Sequence, residues 1–209
     1  MTPARDALIR LRDGNRRFAQ HVSGSDSYLS HTRRADLAAK HPPFAVILGC
    51  SDARVPAEII FDQGLGDLFV IRVAGNIVAP SQVASVEFAA ARFGTRLVVV
   101  LGHSDCGAIR ATIDELRHPA PAGSHALDAI VNRVRPSVEE LLTTELANDD
   151  AALAAHAVRG NIRASVSHLR HGSQLIEQLG RDDGLWVVGA EYSVETGVVE
   201  FLDSEIAGH

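Results

Sequence analysis

The chain has 209 residues, of which 46% are hydrophobic, and this length predicts one globular domain with one sizeable core. A formal net charge of -6 at pH 7 leaves no surplus of basic side chains to neutralise phosphates, so nucleic acid is excluded as an expected partner. The longest apolar runs, 44–48 and 97–101, are far shorter than the roughly 20 residues of a membrane span, so we expect no membrane association. The charged N-terminus does not resemble a signal peptide, so we expect a cytoplasmic protein.

A helix is predicted at the start of the chain. Thr2 and Pro3 form a helix-start signal, and Leu8, Leu11 and Phe18 then fall near one helix face that runs to about residue 20. This apolar stripe must be covered by other side chains, and we expect the helix to pack across onto a partner subunit, with packing on the chain's own core as the alternative.

Strands and helices then alternate. Apolar, β-rich runs predict strands at 44–49, 67–73, 96–101, 185–190 and 198–202. Helical patterns lie between them at 83–93, 107–117, 125–145 and 150–171. This alternation predicts a parallel sheet with helices on both faces.

The last two predicted strands differ from the others because only residues 193–197 separate them, which is too short for a crossover helix. They are expected to form an antiparallel pair at one edge of the sheet. The predicted fold is therefore α/β: a single domain over 1–209 with a mixed five-stranded sheet, four parallel strands plus an antiparallel edge strand, flanked by helices. Residues 1–40 would form a helical N-terminal arm and residues 41–209 the α/β core.

Two short motifs place metal-ligating side chains at strand ends. Cys50 directly follows the first predicted strand, His103 follows the third, and Cys106 comes three residues later at a helix start. Ligand sites in open α/β sheets collect at the carboxyl ends of the strands, which lie about 5 Å apart if the strands are neighbours. Two thiolates and one imidazole suit Zn²⁺, and three protein ligands leave a fourth position for water or a labile carboxylate.

Further charged residues lie beside these ligands. Cys50, Asp52 and Arg54 alternate along the chain, and alternate residues of an extended segment face the same side, so the three could share one cavity. Asp105, between His103 and Cys106, is interpreted as a turn or helix-cap residue, with a proton-transfer role as the alternative.

These motifs resemble those of the β-carbonic anhydrases, whose pattern is Cys-x-Asp-x-Arg followed by Gly-His-x-x-Cys-Gly. Segments 61–70, 72–76 and 87–89 are also similar to segments of that family, so the resemblance covers essentially the whole chain. It implies reversible hydration of CO₂ to bicarbonate and a proton by zinc-bound hydroxide, in a homodimer or homotetramer with one Zn²⁺ per chain. Cys50, His103 and Cys106 would bind the zinc, and Asp52 and Arg54 would be catalytic, with Asp52 as the fourth ligand in a closed state.

The resemblance also implies roles for residues outside the two motifs. Phe69, Ala74 and Phe88 would form the apolar wall that receives CO₂, although plain core packing is the alternative for the two aromatic residues. His41 stands where relatives carry a Gln that hydrogen-bonds bicarbonate across the dimer interface. An inhibitory bicarbonate site, known in one branch of the family, would use Gly49, Arg72 and Tyr192, but Ile47 replaces the Trp of that branch.

Two other functions remain open on sequence grounds. An enzyme that hydrolyses carbonyl sulfide or carbon disulfide could use the same scaffold and the same metal ligands. A non-catalytic zinc-binding regulatory module is the third hypothesis, but a purely structural zinc site would not need Asp52 and Arg54.

Overall fold

A computed structural model describes residues 2–22, 42–119 and 125–202 of the chain. Its central sheet contains five strands: β1 (Ala45–Gly49), β2 (Leu68–Arg72), β3 (Leu97–His103), β4 (Trp186–Tyr192) and β5 (Val199–Phe201). They are arranged in the order β2-β1-β3-β4-β5. The first four strands are parallel, and β5 pairs antiparallel with β4. The predicted α/β fold with one antiparallel edge strand is confirmed.

Helices connect these strands. They are α1 (Ala4–Ala19), α2 (Ala57–Ile60), α3 (Pro80–Arg92), α4 (Gly107–Arg117), α5 (His125–Val134), α6 (Pro136–Glu139), α7 (Asp150–His171) and α8 (Gln174–Asp182). Short 3₁₀ turns lie at Ala74–Asn76, Leu141–Thr143 and Glu145–Asn148. None of the helices in the described part of the chain has the length and apolarity needed to cross a bilayer.

One prediction about the helices was wrong, and two helices were not predicted. The helix predicted at 125–145 is divided, because Pro136 lacks the N–H that a continuous helix would use and instead begins α6. Neither α2 nor α8 was predicted. The start of α8 carries a recognisable signal, since the Ser173 hydroxyl accepts a hydrogen bond from the backbone N–H of Ile176 at 3.2 Å, as an N-cap residue does.

The sheet separates two apolar clusters. Both β1 and β3 are buried along their whole length, as expected for central parallel strands covered on both faces. Because side chains alternate along a strand, Val46 and Leu48 face the cluster beneath α3, α4 and α7, whereas Ile47 faces the cluster beneath α1 and α2. The ends of these buried strands are therefore held rigidly.

Helix α1 packs against its own chain. Leu8 and Leu11 of its apolar stripe are buried in the cluster that contains Ile47, and Gly14 lies so close to the α2 region that a Cβ there would be 1.8 Å from the carbonyl oxygen of Phe61. The prediction that this stripe packs onto a partner subunit is therefore wrong for Leu8 and Leu11, which the chain's own core covers. The predicted boundary of the N-terminal arm, between residues 40 and 41, lies outside the described residues.

The polar side chain of Asn15 also ties α1 to the end of the chain. Its Nδ2 donates to the carbonyl oxygens of Ile60 at 3.2 Å and Gly197 at 2.8 Å. Its Oδ1 accepts from the N–H of Val199 at 2.8 Å. One buried amide thus connects α1, α2 and the hairpin formed by β4 and β5.

Candidate metal centre

The carboxyl ends of β1 and β3 bring the three predicted ligands together. The strands are neighbours, with Gly49 opposite Leu101, so Cys50 and His103 follow adjacent strand ends. Cys106 comes immediately before α4. One ligand atom from each of these three buried residues lies within 4.8 Å of the other two. The structure therefore assembles Cys50, His103 and Cys106 into one group.

The spacing of this group fits a zinc ion. The two sulfur atoms are 4.0 Å apart, and zinc–sulfur bonds of about 2.3 Å at a tetrahedral angle place two sulfurs roughly 3.8 Å apart. In addition, the Nε2 atom of His103 is buried and has no hydrogen-bond partner among the described residues. Buried polar atoms are rarely left unpaired, and a bound cation would give this nitrogen a partner.

The orientation of His103 is fixed by its neighbour. Its Nδ1 lies 2.9 Å from the carbonyl oxygen of Ser104. Because a carbonyl oxygen can only accept, Nδ1 carries the proton and Nε2 presents its lone pair toward the thiols, as in histidine ligands of metals. Burial by itself would lower the pKa of His103, but the adjacent Cys50 thiolate raises it above the ordinary value.

The two thiols act as a pair. Their hydrogen bond lowers the pKa of Cys50, and the nearby His103 imidazole lowers it further. The same hydrogen bond, together with burial, raises the pKa of Cys106. Two thiols this close share a proton readily, because the remaining thiol stabilises the thiolate that forms. The pair is thus prepared to present thiolate sulfur to a cation.

Sequence analysis did not identify the residues that hold Cys50 Sγ in place. The backbone N–H of Gly75, in the 3₁₀ turn after β2, donates to Cys50 Sγ at 3.3 Å. Gly75 has φ +69, a conformation that favours glycine. The Nδ2 of Asn161 donates to the Gly75 carbonyl at 2.7 Å, and the Ser165 hydroxyl donates to the Asn76 carbonyl at 3.0 Å. Asn161 and Ser165 lie on α7, far along the chain, so no local pattern reveals them.

Asp52 and Arg54 form a two-point ion pair beside the ligands. Arg54 donates from Nε to Asp52 Oδ1 at 3.0 Å and from Nη2 to Oδ2 at 2.7 Å. These hydrogen bonds hold the pKa of Asp52 well below its usual range. Oδ2 lies 3.9 Å from His103 Nε2. The Asp52 carboxylate is therefore ionised and next to the metal-ligand group, and in this structure it is bound to Arg54.

Asp105 does not have the helix-cap role considered for it. Cys106 occupies the N-cap position of α4, and that helix has no side-chain cap. The Asp105 carboxylate instead pairs with Arg110 and approaches Arg54. The salt bridge to Arg110 and then the charge of Arg54 lower the pKa of Asp105.

Of the residues expected in the substrate wall, the structure places only Ala74 near the ligands, next to Gly75. Phe69 is opposite Val46 in the β1–β2 register, three residues before Gly49, which puts it about 10 Å back along the strand. Phe88 on α3 packs against Phe69, with ring centroids 6.3 Å apart, and its side chain is 53% exposed. His41 lies outside the described residues.

The three residues of the expected bicarbonate site are only partly brought together. Gly49 and Arg72 are direct neighbours across β1 and β2. Arg72 donates from Nε to the Cys50 carbonyl at 3.0 Å and from Nη2 to the Asp52 carbonyl at 2.5 Å. Tyr192 lies beyond β3, opposite His103, and its ring packs against Phe18.

Fold and site together define an α/β protein with a preassembled Cys–His–Cys group, at the carboxyl edge of a parallel sheet, that could hold a metal ion. In comparison with known proteins, the family described as carbonic anhydrase matches residues 45–199. The chain is 38% identical to carbonic anhydrase 2 of Mycobacterium tuberculosis over 189 residues, which cover 90% of this chain and 87% of the relative. It is also 38% identical to a carbonic anhydrase of Pseudomonas aeruginosa over 206 residues, which cover 91% and 86%.

Solved structures that are similar in fold to this chain include β-carbonic anhydrases. A β-carbonic anhydrase of Aspergillus fumigatus superposes with a TM-score of 0.74 at 26% identity, covering 90% of this chain and 87% of that one. Coccomyxa β-carbonic anhydrase in complex with acetazolamide gives a TM-score of 0.71 at 28% identity, covering 93% and 86%. The chain therefore belongs to the carbonic anhydrase family, in its β class, and is an enzyme of that family.

Proposed function

We propose that this chain catalyses the reversible, zinc-dependent hydration of CO₂ to bicarbonate and a proton, with Cys50, His103 and Cys106 as the protein ligands of one Zn²⁺. The observation that carries the proposal is the buried, unpartnered Nε2 of His103 beside two free thiols, as the described residues show it. When bound, zinc supplies the Lewis acidity that makes water a competent nucleophile near neutral pH.

The residues around the ligands have separate tasks in this proposal. Ser104 fixes the orientation of the His103 ring, and the Gly75 N–H holds Cys50 Sγ. An ionised carboxylate can only accept hydrogen bonds. Asp52 Oδ2 would therefore accept the hydrogen of an attacking water and leave a lone pair of that water directed at the carbon of CO₂. Arg54 keeps Asp52 ionised and oriented.

The ligand assignment is tested by metal analysis and by stopped-flow CO₂ hydration of the wild type and Cys106→Ser. Loss of one thiolate from three protein ligands leaves a weak chelate, so the variant should lose most of its zinc and essentially all activity. Ser51→Ala is the control, because this exposed neighbour of Cys50 lies outside the ligand set. A Cys106→Ser protein that keeps stoichiometric zinc would show that the assignment is wrong.

The same preparation distinguishes the alternative substrates. Carbonyl sulfide would be offered to the zinc-loaded wild type in parallel with CO₂, under the same buffer and temperature. We expect CO₂ hydration to be the faster reaction. Faster hydrolysis of carbonyl sulfide would instead support the alternative substrate, and zinc binding without either activity would support the regulatory module.

An aromatic surface supports assembly into a homodimer or a larger homo-oligomer. Phe69, Phe88 and Phe93 pack together, and Phe88 and Phe93 are 53% and 37% exposed. They border β2, an edge strand whose residues are all at least partly exposed. Exposed rings beside an open sheet edge are features that proteins cover. Since Phe69 is far from the metal ligands of its own chain, its role in the substrate wall would require a second copy.

Sedimentation analysis of the wild type and Phe88→Glu tests this assembly. We expect the wild type to be at least dimeric and the variant to dissociate and lose activity, because a charge would replace a ring in the contact. Leu127→Glu is the matched control, since Leu127 is an exposed apolar residue on α5 at another place in the fold. A monomeric wild type with full activity would contradict the proposal.

The proposal includes a cytoplasmic location for the protein. Cys50 and Cys106 are free thiols whose sulfur atoms are 4.0 Å apart. Their use as metal ligands requires that they stay reduced, which favours the cytoplasm. Cell fractionation with an antibody to the chain would test this location.

A further inference from the structure

Four charged side chains form a continuous line at the outer side of the metal centre. They are Asp52, Arg54, Asp105 and Arg110. Arg54 Nη2 lies 2.7 Å from Asp52 Oδ2, and Arg54 Nη1 lies 3.5 Å from Asp105 Oδ2. Arg110 Nε donates to Asp105 Oδ1. Asp105 is thus shared between two arginines, one of which binds the proposed catalytic carboxylate.

Asp105 contacts Arg54 with its backbone as well as its side chain. Its carbonyl oxygen accepts a hydrogen bond from Arg54 Nη2 at 3.3 Å. The Arg54 guanidinium is therefore held on one edge by Asp52 and on the other by Asp105. This matters because the Arg54 side chain is 46% exposed and would otherwise have many rotamers open to it. A planar guanidinium fixed on two sides presents its donors to Asp52 in one orientation.

The backbone of Asp105 gives an independent indication that its side chain is used. Asp105 has φ +57, in the left-handed region that favours glycine and that aspartate and asparagine tolerate best among other residues. Glycine would relax this turn. A carboxylate at a position where glycine would be conformationally easier is consistent with a task for the side chain.

We propose that Asp105 is a positioning residue for CO₂ hydration: it holds Arg54 in the orientation that orients Asp52, and Arg110 in turn holds Asp105. The proposal rests on the role assigned to Asp52 in the proposed function. Asp105 lies in a turn, as one of the sequence-based interpretations has it, but it does not cap α4, and in this proposal it acts on Arg54 and does not itself exchange a proton with the substrate.

The test compares zinc-loaded wild type with Asp105→Asn and Asp105→Gly. Both variants remove the charge that faces Arg54, and the first preserves side-chain size while the second relaxes the backbone. Since exposed ion pairs are weak, we expect kcat to fall about two- to fivefold in both variants, with unchanged KM and zinc content. Asp114→Asn is the control, because Asp114 is an exposed carboxylate on α4 away from Arg54.

A second measurement follows Arg54 itself. The Nε–H of Arg54 should give a slowly exchanging ¹⁵N signal in the wild type and in Asp114→Asn, and exchange several-fold faster in both Asp105 variants. Full kcat together with unchanged exchange in those variants would overturn the proposal. If the wild type lacks CO₂ hydration, the proposed function fails, whereas the exchange measurement still decides whether Asp105 holds Arg54.

Discussion

Replacement of Asn161 by leucine should weaken the metal centre without touching a ligand. The Asn161 amide holds the carbonyl of Gly75 at 2.7 Å, and the N–H of Gly75 holds the sulfur of Cys50 at 3.3 Å. Asn161→Leu keeps the number of side-chain heavy atoms and the branch at Cγ but leaves the buried Gly75 carbonyl without this donor. Such a loss costs about 1–3 kcal/mol of the free energy of unfolding. Loss of support around a ligand typically lowers metal affinity about tenfold or more.

Ser165→Ala separates these two effects. Ser165 lies on the same helix and donates to the carbonyl of Asn76, the next residue of the same turn, whereas the hydrogen bond from this turn to Cys50 Sγ comes from Gly75. Zinc affinity would be measured by competition with a chromophoric chelator, and stability by urea unfolding of the same samples. Both variants should lose stability, whereas only Asn161→Leu should lose zinc affinity. Equal zinc affinity in the two variants would refute the reasoning.

Three further predictions concern other parts of the chain. Asn15→Leu removes two buried hydrogen bonds and one partly buried one, and should destabilise the protein by about 3 kcal/mol, a fall in Tm of about 6–12 °C by calorimetry; an unchanged Tm contradicts this. Removal of zinc by a chelator should lower Tm and abolish CO₂ hydration, and added zinc should restore both, since a ligand that binds only the folded state stabilises it; chelation without either effect would argue against bound zinc. If Gly49, Arg72 and Tyr192 form the proposed bicarbonate site, Arg72→Gln should relieve inhibition by bicarbonate in steady-state assays, and unaltered inhibition would remove that site.

Local patterns in the sequence were sufficient to predict the sheet and the grouping of Cys50, His103 and Cys106. The strands have continuous apolar runs. Cys50 directly follows β1, His103 ends β3 and Cys106 directly precedes α4, so the three predicted ligands lie at element ends that the sequence pattern indicates. The antiparallel edge strand followed from loop length alone. These features depend on residues close together along the chain.

The contacts that support the site depend instead on distant residues. Asn161 reaches Gly75 across 86 positions, and Arg54 reaches Asp105 across 51. The sequence separation of neither pair indicates that its two residues are in contact. Asp105 illustrates the difficulty, because its place before a helix suggested a cap, whereas the tertiary structure turns its carboxylate toward two arginines.

The contacts of Asn15 have a consequence for synthesis of the chain. Its partner Val199 lies 184 positions further on. A ribosome adding about 5–20 residues per second needs roughly 10–40 s to cover that distance, and during this time the buried face of α1 has no completed surface to pack against. Contacts between residues that are far apart along the chain slow folding. Helix α1 is therefore made well before its last partner, and its contact with Val199 is among the latest that can form.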